Sequence, residues 1–490
     1  SGESFCSWTF RKAPGFFDIV TYTGNGSNPR AISHSLGSKP GMMWVKRLNG
    51  SAEWHVYHQS QGATKYGTLD EDYAFATNSN RWGNTEPTST QFTVDVQANI
   101  NGATYVAYLF AHDEQSFGTD EDESIIKCDT YTGNGSTQTI NVGFEPQWLM
   151  VKCSSDASPS GWFIIDNMRV TSRHRDVYAN LNLAELNNDR IDFTSTGFHI
   201  KDGNNDVNGS SRTYIYMAIR RPHKPPSAGT DVFLPKAWTG TGSSHSYDAG
   251  FPLDLVWHTY RGGSSTASWF FDRVRMPNKR LISSSTGAEE SSAFLDFDKQ
   301  NSVGINGNSS GFNASSENYI HHVFRRAPGF MEVLEYTGDG NGTQTLSHNL
   351  NATPELTIVK STSQSGAWAI SSPDGGSYDA NLSGTLRFTN DAVVGNYRIF
   401  PQTSTTIRVL DSTTNGLPST NASGVTYIAY LFASLDGISK VGSYTGTGNN
   451  IDVNCGFAAG ARFVLIKRTN DTGSWYVWDS ARGIVSGNDP

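Results

Sequence analysis

Tyr131-Thr132-Gly133-Asn134-Gly135 is the stretch on which the reading of this chain turns, because it recurs. It is matched by Tyr22-Thr23-Gly24-Asn25-Gly26, Trp238-Thr239-Gly240-Thr241-Gly242, Tyr336-Thr337-Gly338-Asp339-Gly340 and Tyr444-Thr445-Gly446-Thr447-Gly448. The starts lie 109, 107, 98 and 108 residues apart. Self-similarity at a fixed period marks a repeat architecture. Chance is excluded because further motifs follow each signature in a fixed order.

The first of these is an apolar run that mostly ends in lysine. It reads Gly41-Met42-Met43-Trp44-Val45-Lys46, Gln147-Trp148-Leu149-Met150-Val151-Lys152, Leu356-Thr357-Ile358-Val359-Lys360 and Phe463-Val464-Leu465-Ile466-Lys467. Repeat three departs with Leu255-Val256-Trp257-His258. A tryptophan run follows, at Trp54, Trp162, Trp269, Trp368 and Trp475. Each full repeat closes with an Asn turn and a Tyr-led run exactly six residues on: Asn99/Tyr105, Asn208/Tyr214, Asn313/Tyr319 and Asn421/Tyr427. Short β-branched and aromatic runs bounded by Gly, Asn and Ser read as buried strands.

These spacings predict an all-β chain, a tandem array of antiparallel β-sandwich repeats (jelly-roll or lectin-like) of about 100–110 residues. Each repeat is long enough to bury a core of its own, so beads on a short string are expected. Phe10-Arg11-Lys12-Ala13-Pro14-Gly15-Phe16 matches Phe324-Arg325-Arg326-Ala327-Pro328-Gly329-Phe330 at the seam of repeats three and four. The expected division is therefore the end of a preceding repeat (1–17), repeats 1 to 4 (18–123, 124–226, 227–328, 329–437) and an incomplete repeat 5 (438–490). The 490 residues are expected to be a window on a longer array. Arg220-Arg221-Pro222-His223-Lys224-Pro225-Pro226 reads as an extended, stiff linker.

Composition agrees. Charged residues are 17% of the chain, hydrophobic residues 36%, aromatics 12%, and Gly contributes 49 positions. The aromatic content is too high for a disordered chain. A net charge of -9 without a Lys/Arg block argues against nucleic acid and against an electrostatic membrane binder. No apolar run approaches the length of a membrane helix.

Three repeats carry an Asp and an Arg after the tryptophan: Trp162/Asp166/Arg169, Trp269/Asp272/Arg275 and Trp475/Asp479/Arg482. In the corresponding place repeat 1 has His58 and repeat 4 has Ser371 and Ser372. A sugar-cleaving site needs two carboxylates roughly 5–9.5 Å apart, and no second carboxylate travels with the Asp. The set reads as a turn clamp or ion pair, with no catalytic residue assigned.

Asp202, Asn204 and Asp206 alternate oxygen ligands as a calcium loop does. Their Gly is misplaced, no bidentate Glu follows and the sister loop has no acid, so they are a weak metal candidate beside the simpler reading of a turn. His321 and His322 are adjacent on a strand and should face opposite ways, which argues against one shared metal. Cys6, Cys128, Cys153 and Cys455 form neither a disulfide scaffold nor paired CxxC motifs. Cys6 and Cys455 fall at apolar packing positions, and Cys128 and Cys153 could approach across strands. The TGNG segments lack a following helix and read as hairpin turns rather than phosphate cradles. No cofactor is implied. Exposed Tyr and Trp could stack on sugar rings, although burial is the default for residues that recur once per repeat.

Taken together, the YTGNG signature, the P-x-W-x-x-V-K strand, the W…D…R segment and the closing YIYMA or YVAYLFA strand resemble the β-sandwich repeats of tailed-phage fibre and appendage proteins, marine phages above all. The resemblance covers essentially the whole chain and transfers no catalytic residue. It implies a virion structural protein, non-enzymatic and extracellular, on tail or capsid. Such a protein acts as a spacer and host-surface or glycan adhesin, with other virion proteins and a host glycan or envelope receptor as partners, and commonly as a homotrimer. The alternatives are a glycan-depolymerising tailspike, a capsid-decorating fibre and a bacterial surface adhesin. Repeat 3, with Trp238 for Tyr and His258 near the Lys position, departs most from the pattern.

Overall fold

In a computed structural model the chain is nearly all β, built of antiparallel sheets. The structure describes all residues except 1–4, 119–120, 157–159, 170–174, 263–267, 276–278, 298–300, 308, 310, 373–384, 389–398, 402, 412–418 and 485–490. The chain forms two compact units, Ser1–Pro222 and His223–Pro490.

Repeat 2 shows the plan. Its signature strand (Ile126–Thr132) pairs with its closing strand (Thr213–Arg220), which pairs in turn with the lysine strand (Pro146–Cys153). The tryptophan strand (Phe163–Asp166), Arg175–Tyr178 and Leu186–Asn187 extend the sheet to six. A second sheet of Gln138–Asn141, Gly197–Ile200 and Ile191–Thr194 covers one face. Repeats 1 and 3 have the same six-stranded order, and four of those strands are described in repeat 4. In repeat 5 the lysine strand (Phe463–Lys467) pairs with the tryptophan strand (Trp475–Asp479). The strand latest in sequence thus lies between the first and the third in each complete repeat.

The TGNG segments are not hairpins, contrary to the sequence expectation. The strands flanking Gly24–Asn28 are Phe17–Thr23 and Arg30–Ser33, and these belong to different sheets. The segment is a crossover from one layer of the sandwich to the other. The Gly-rich pattern misleads because hairpins and tight crossovers need the same left-handed glycine.

The beads are not separate either. Leu149, Val151, Phe163, Ile165, Tyr214 and Tyr216 face the core of repeat 2. The alternate residues Trp148, Met150, Trp162, Ile164, Ile215 and Met217 face the other way and join the core that contains repeat 1. The lysine and closing strands are apolar on both faces, as strands buried on both sides must be. In the second unit Leu255, Trp257 and Phe270 of repeat 3 share a cluster with Ile358, Ile370 and Tyr430 of repeat 4, against which Phe463, Leu465 and Trp475 of repeat 5 pack. Repeats within a unit share a core because each six-stranded sheet has an outer apolar face that its own second sheet cannot cover.

Candidate functional site

The recurring residues build two structures. One is a corner inside each repeat. Asn99, Asn208, Asn313 and Asn421 are fully buried. Their side-chain oxygens accept from the backbone N–H of the fourth signature residue: Asn25 at 3.1 Å, Asn134 at 2.9 Å, Thr241 at 3.1 Å and Asp339 at 3.0 Å. In repeats 1, 2 and 3 their amides donate back into the crossover, to Ser27 O, Ser136 O and Ser243 O. Asn supplies acceptor and donor in one short planar group, which no apolar or acidic residue of that size can do.

The six-residue Asn–Tyr spacing now has a cause. The phenol oxygen of each closing-strand Tyr accepts from the N–H just after the Asn: Tyr105 from Ile100 (3.1 Å), Tyr214 from Gly209 (2.7 Å), Tyr319 from Ala314 (2.9 Å) and Tyr427 from Ala422 (3.0 Å). The same ring stacks on the signature aromatic directly opposite, with centroids 5.0–5.2 Å apart, including Trp238 in repeat 3.

The second structure lies on the outer faces. Asp166, Asp272 and Asp479 each bind the Arg three residues on, at 2.6, 2.6 and 2.5 Å, and each accepts that Arg's backbone N–H at 2.9 Å. Each Asp also accepts a donor from a different repeat or from the 1–17 segment: Trp8 Nε1 (3.1 Å), the Tyr430 hydroxyl (2.7 Å) and His322 Nε2 (2.9 Å). Burial raises the Asp479 carboxyl, but His322 and Arg482 outweigh it and hold it at about 2. The terminal lysine of the lysine strand behaves alike. Lys152 is buried and donates to Asp72 O of repeat 1 (3.0 Å), and Lys360 donates to Gly287 O of repeat 3 (2.7 Å). Burial lowers both to about 8. Trp162 and Trp368 donate to Thr68 O and Ile282 O of the repeat before. Nothing in one repeat's sequence signals these links. Trp8 aligns with His322 through the shared Phe-Arg-x-Ala-Pro-Gly-Phe seam, so these donors share a place and not a side chain.

The weak metal candidates do not converge. Asp202 and Asn204 accept backbone N–H groups two residues on. Asp206 turns to the Tyr178 hydroxyl (2.8 Å) and the Arg190 guanidinium (3.2 Å), so a cation already holds it. Among the described residues no group of three His, Cys, Asp or Glu side chains is placed to hold a metal ion. Arg190 also binds Asp176 at 3.3 Å, whose carboxyl burial pushes up to about 6. An open cleft of about 230 Å³ lies here, with Tyr178, Leu181, Leu183 and Arg190 on its wall.

All four cysteines are free. Cys128 faces outward with Trp148 while Cys153 faces the core of repeat 2, so they lie on opposite faces of one sheet. Cys6 is exposed and Cys455 half-buried rather than packed, because neither lies in a strand.

His321 and His322 point to opposite faces. His258 Nε2 lies 2.8 Å from Gly311 O, which can only accept, so Nε2 carries the proton and Nδ1 accepts from His321 Nε2 (3.1 Å). That leaves His321 Nδ1 to accept from the Tyr247 hydroxyl (2.7 Å). An added proton reverses a bond of this chain and takes from the Tyr247 hydroxyl its acceptor at His321 Nδ1. Burial lowers His258 to about 3 and His321 well below its ordinary value. The folded form therefore binds fewer protons than the unfolded chain below about pH 6.5, and stability drains away as pH falls from there toward 3. We expect amide exchange of Asn318–Phe324 to be flat from pH 8 to 7 after correction for intrinsic rates. Protection should then fall by about one pH-unit equivalent per His per unit down to pH 4.5. Equal protection at pH 7 and 4.5 would refute the burden placed on these rings.

The sequence pattern of the family described as "Domain of unknown function (DUF7483)" matches residues 10–222 and again 228–488. The chain belongs to this family. The first DUF7483 match takes in repeat 1 and nearly all of repeat 2, the second repeats 3 and 4 and most of the 438–490 segment, and each falls within one compact unit. The family's module is thus larger than the 100–110-residue period. No curated protein and no solved structure matches the chain.

Proposed function

We propose that this DUF7483 protein is a non-enzymatic structural rod or spacer of a virion appendage, a phage tail fibre or similar, which also presents adhesive surface to a host glycan or envelope receptor. The observation that carries the reading is where the recurring polar side chains go. Asn99 and its three counterparts bind backbone in their own repeat, while Asp166, Asp272, Asp479, Lys152 and Lys360 bind other parts of the array. Residues that recur for catalysis would leave a nucleophile, base or paired acid facing a cleft. These face neighbours. The resemblance of the repeats to phage fibre β-sandwiches supplies the setting, outside the cell and attached to other virion proteins. Weak adhesion multiplied along an array gives avidity without a deep pocket.

Glycan-array and host-cell binding by the intact chain tests the adhesive half. We expect retention on some glycans or cells and no shortening of polysaccharide. Release of oligosaccharide, lost in Asp166→Asn, would establish the tailspike alternative instead. Binding to no glycan and no cell would reduce the proposal to a pure spacer, as in a capsid-decorating fibre. The cleft beside Tyr178 and Arg190 is the first surface to alter if binding is found.

A further inference from the structure

Contacts between repeats fall into classes that recur in both units, and one class skips a repeat. In the first unit Trp8 and Phe10, of the 1–17 segment that aligns with the closing strand of repeat 3, pack on Trp148 of repeat 2 at 6.3 and 6.0 Å, and Trp8 Nε1 donates to Asp166. In the second unit His322 and Phe324 of repeat 3 pack on Phe463 of repeat 5 at 5.0 and 6.0 Å, and His322 Nε2 reaches Asp479. Trp8 corresponds to His322, Phe10 to Phe324, Trp148 to Phe463 and Asp166 to Asp479 in the repeat alignment. Neighbours touch as well, and equally regularly. Phe10 meets Phe110 at 5.7 Å and Phe324 meets Phe432 at 5.9 Å. Trp162 donates to Thr68 O at 2.8 Å and Trp475 to Arg387 O at 2.7 Å.

A linear stack of repeats touches only its neighbours. Here the first, second and third members of a unit touch in all three pairings. The Asp position gives the order. Asp272 of repeat 3 meets Tyr430 on the closing strand of repeat 4, and in repeat 1 His58, standing where the Asp would be, meets Tyr216 O on the closing strand of repeat 2 (3.2 Å). Asp479 of repeat 5 meets His322 on the closing strand of repeat 3. The last contact is the same one carried round a closed circuit: each Asp position receives the next repeat's closing strand, and the next after the third is the first.

We infer that the outer face of each six-stranded sheet is an interaction surface for two other repeats of its own class, and that three successive repeats close about a pseudo-threefold axis. The apolar stripe common to these faces (Trp148, Met150, Met217; Trp257, Phe270; Ile358, Tyr430; Phe463, Leu465) is what the axis encloses. A single chain then supplies the threefold trunk that a fibre of identical copies would obtain from a homotrimer. The inference stands whether or not the adhesive reading does.

Hydrogen exchange and solution mass of the full chain test it, with Asp479→Asn, which removes the acceptor's charge, and His322→Leu, which removes the donor. Losing one charge-assisted bond should speed exchange about tenfold in the member it held. We expect this in Asn318–Phe324 for D479N and in Phe463–Lys467 for H322L, with a solution mass near that of one chain, 53.4 kDa. Changes confined in both variants to the repeat that carries the substitution would overturn the closed circuit. A mass near three chains would overturn the self-sufficient trunk.

Discussion

Replacing Gly240 by alanine will destabilise the second unit by about 3 kcal/mol, and the same replacement at Gly446 will stay within about 0.5 kcal/mol. Both are the third residue of the signature, and the five-residue motif itself gives no reason to separate them. A Cβ on Gly240 would lie 2.1 Å from the backbone oxygen of Ala314 and 2.9 Å from the Tyr319 ring. Neither group can withdraw, because Ala314 N–H is held by the Tyr319 hydroxyl and the Asn313 side chain is held by the crossover. The strain must move backbone in the corner itself. Gly446 has no atom within 4 Å of its would-be Cβ. Urea unfolding of the full chain, with exchange of Phe233–Thr239 as local readout, separates the two. Equal effects at both positions would mean that the signature glycine serves turn conformation alone and not the close approach.

Asp272→Ala will cost the second unit about 3–5 kcal/mol, since it leaves a buried guanidinium without its partner. Asp272 and Arg275 are fully buried, and the carboxylate holds the Arg275 side chain, the Arg275 backbone N–H and the Tyr430 hydroxyl. Opposite charge at this separation outweighs the burial that opposes it and pushes the arginine above its ordinary value, so the arginine cannot escape by losing its proton. After the substitution Arg275 keeps the Phe270 carbonyl, a 3.4 Å bond to the Tyr430 hydroxyl and a 3.6 Å approach to Glu289, with no carboxylate in direct hydrogen-bond contact. The double variant D272A/R275M should recover a large part of the loss, because removing both members of a buried pair removes the desolvation problem with the charge. A double variant no better than D272A, or a single variant near wild type, would show that the turn and not the ion pair carries the stability.

The repeat, its strands and the all-β class were legible because they follow from spacing and composition. Alternation of two faces is a local property, and turn residues punctuate it. The six-residue Asn–Tyr interval was visible too, though not its reason, which is the reach of a phenol to the amide after the Asn. The outer face was readable in principle, since Gln147–Cys153 and Tyr214–Ile219 are apolar on both parities. A buried strand and a strand awaiting a neighbour look identical in that respect, so separate beads were the simpler expectation. The donors that converge on Asp166, Asp272 and Asp479 were illegible. They are three chemically different residues (Trp8, Tyr430, His322) that share only a place on the closing strand. What recurs is the position and not the side chain.

The closing strand at the heart of each sheet also sets a hazard during synthesis. The corner bonds that lock it join residues 72–82 apart in sequence. At a few to twenty residues per second, a nascent repeat waits roughly 4–16 s with both edges of its central gap open. The neighbouring repeat soon offers a strand of nearly the same pattern, which invites swapping between repeats. The histidines of repeat 3 bear on this. A closing strand borrowed from repeat 4 would bring Ala429 to the place of His321, leaving the Nδ1 of His258 and the hydroxyl of Tyr247 buried without each other's relay. The departures that make repeat 3 look least like its neighbours act as a key, cut so that only its own last strand turns the lock.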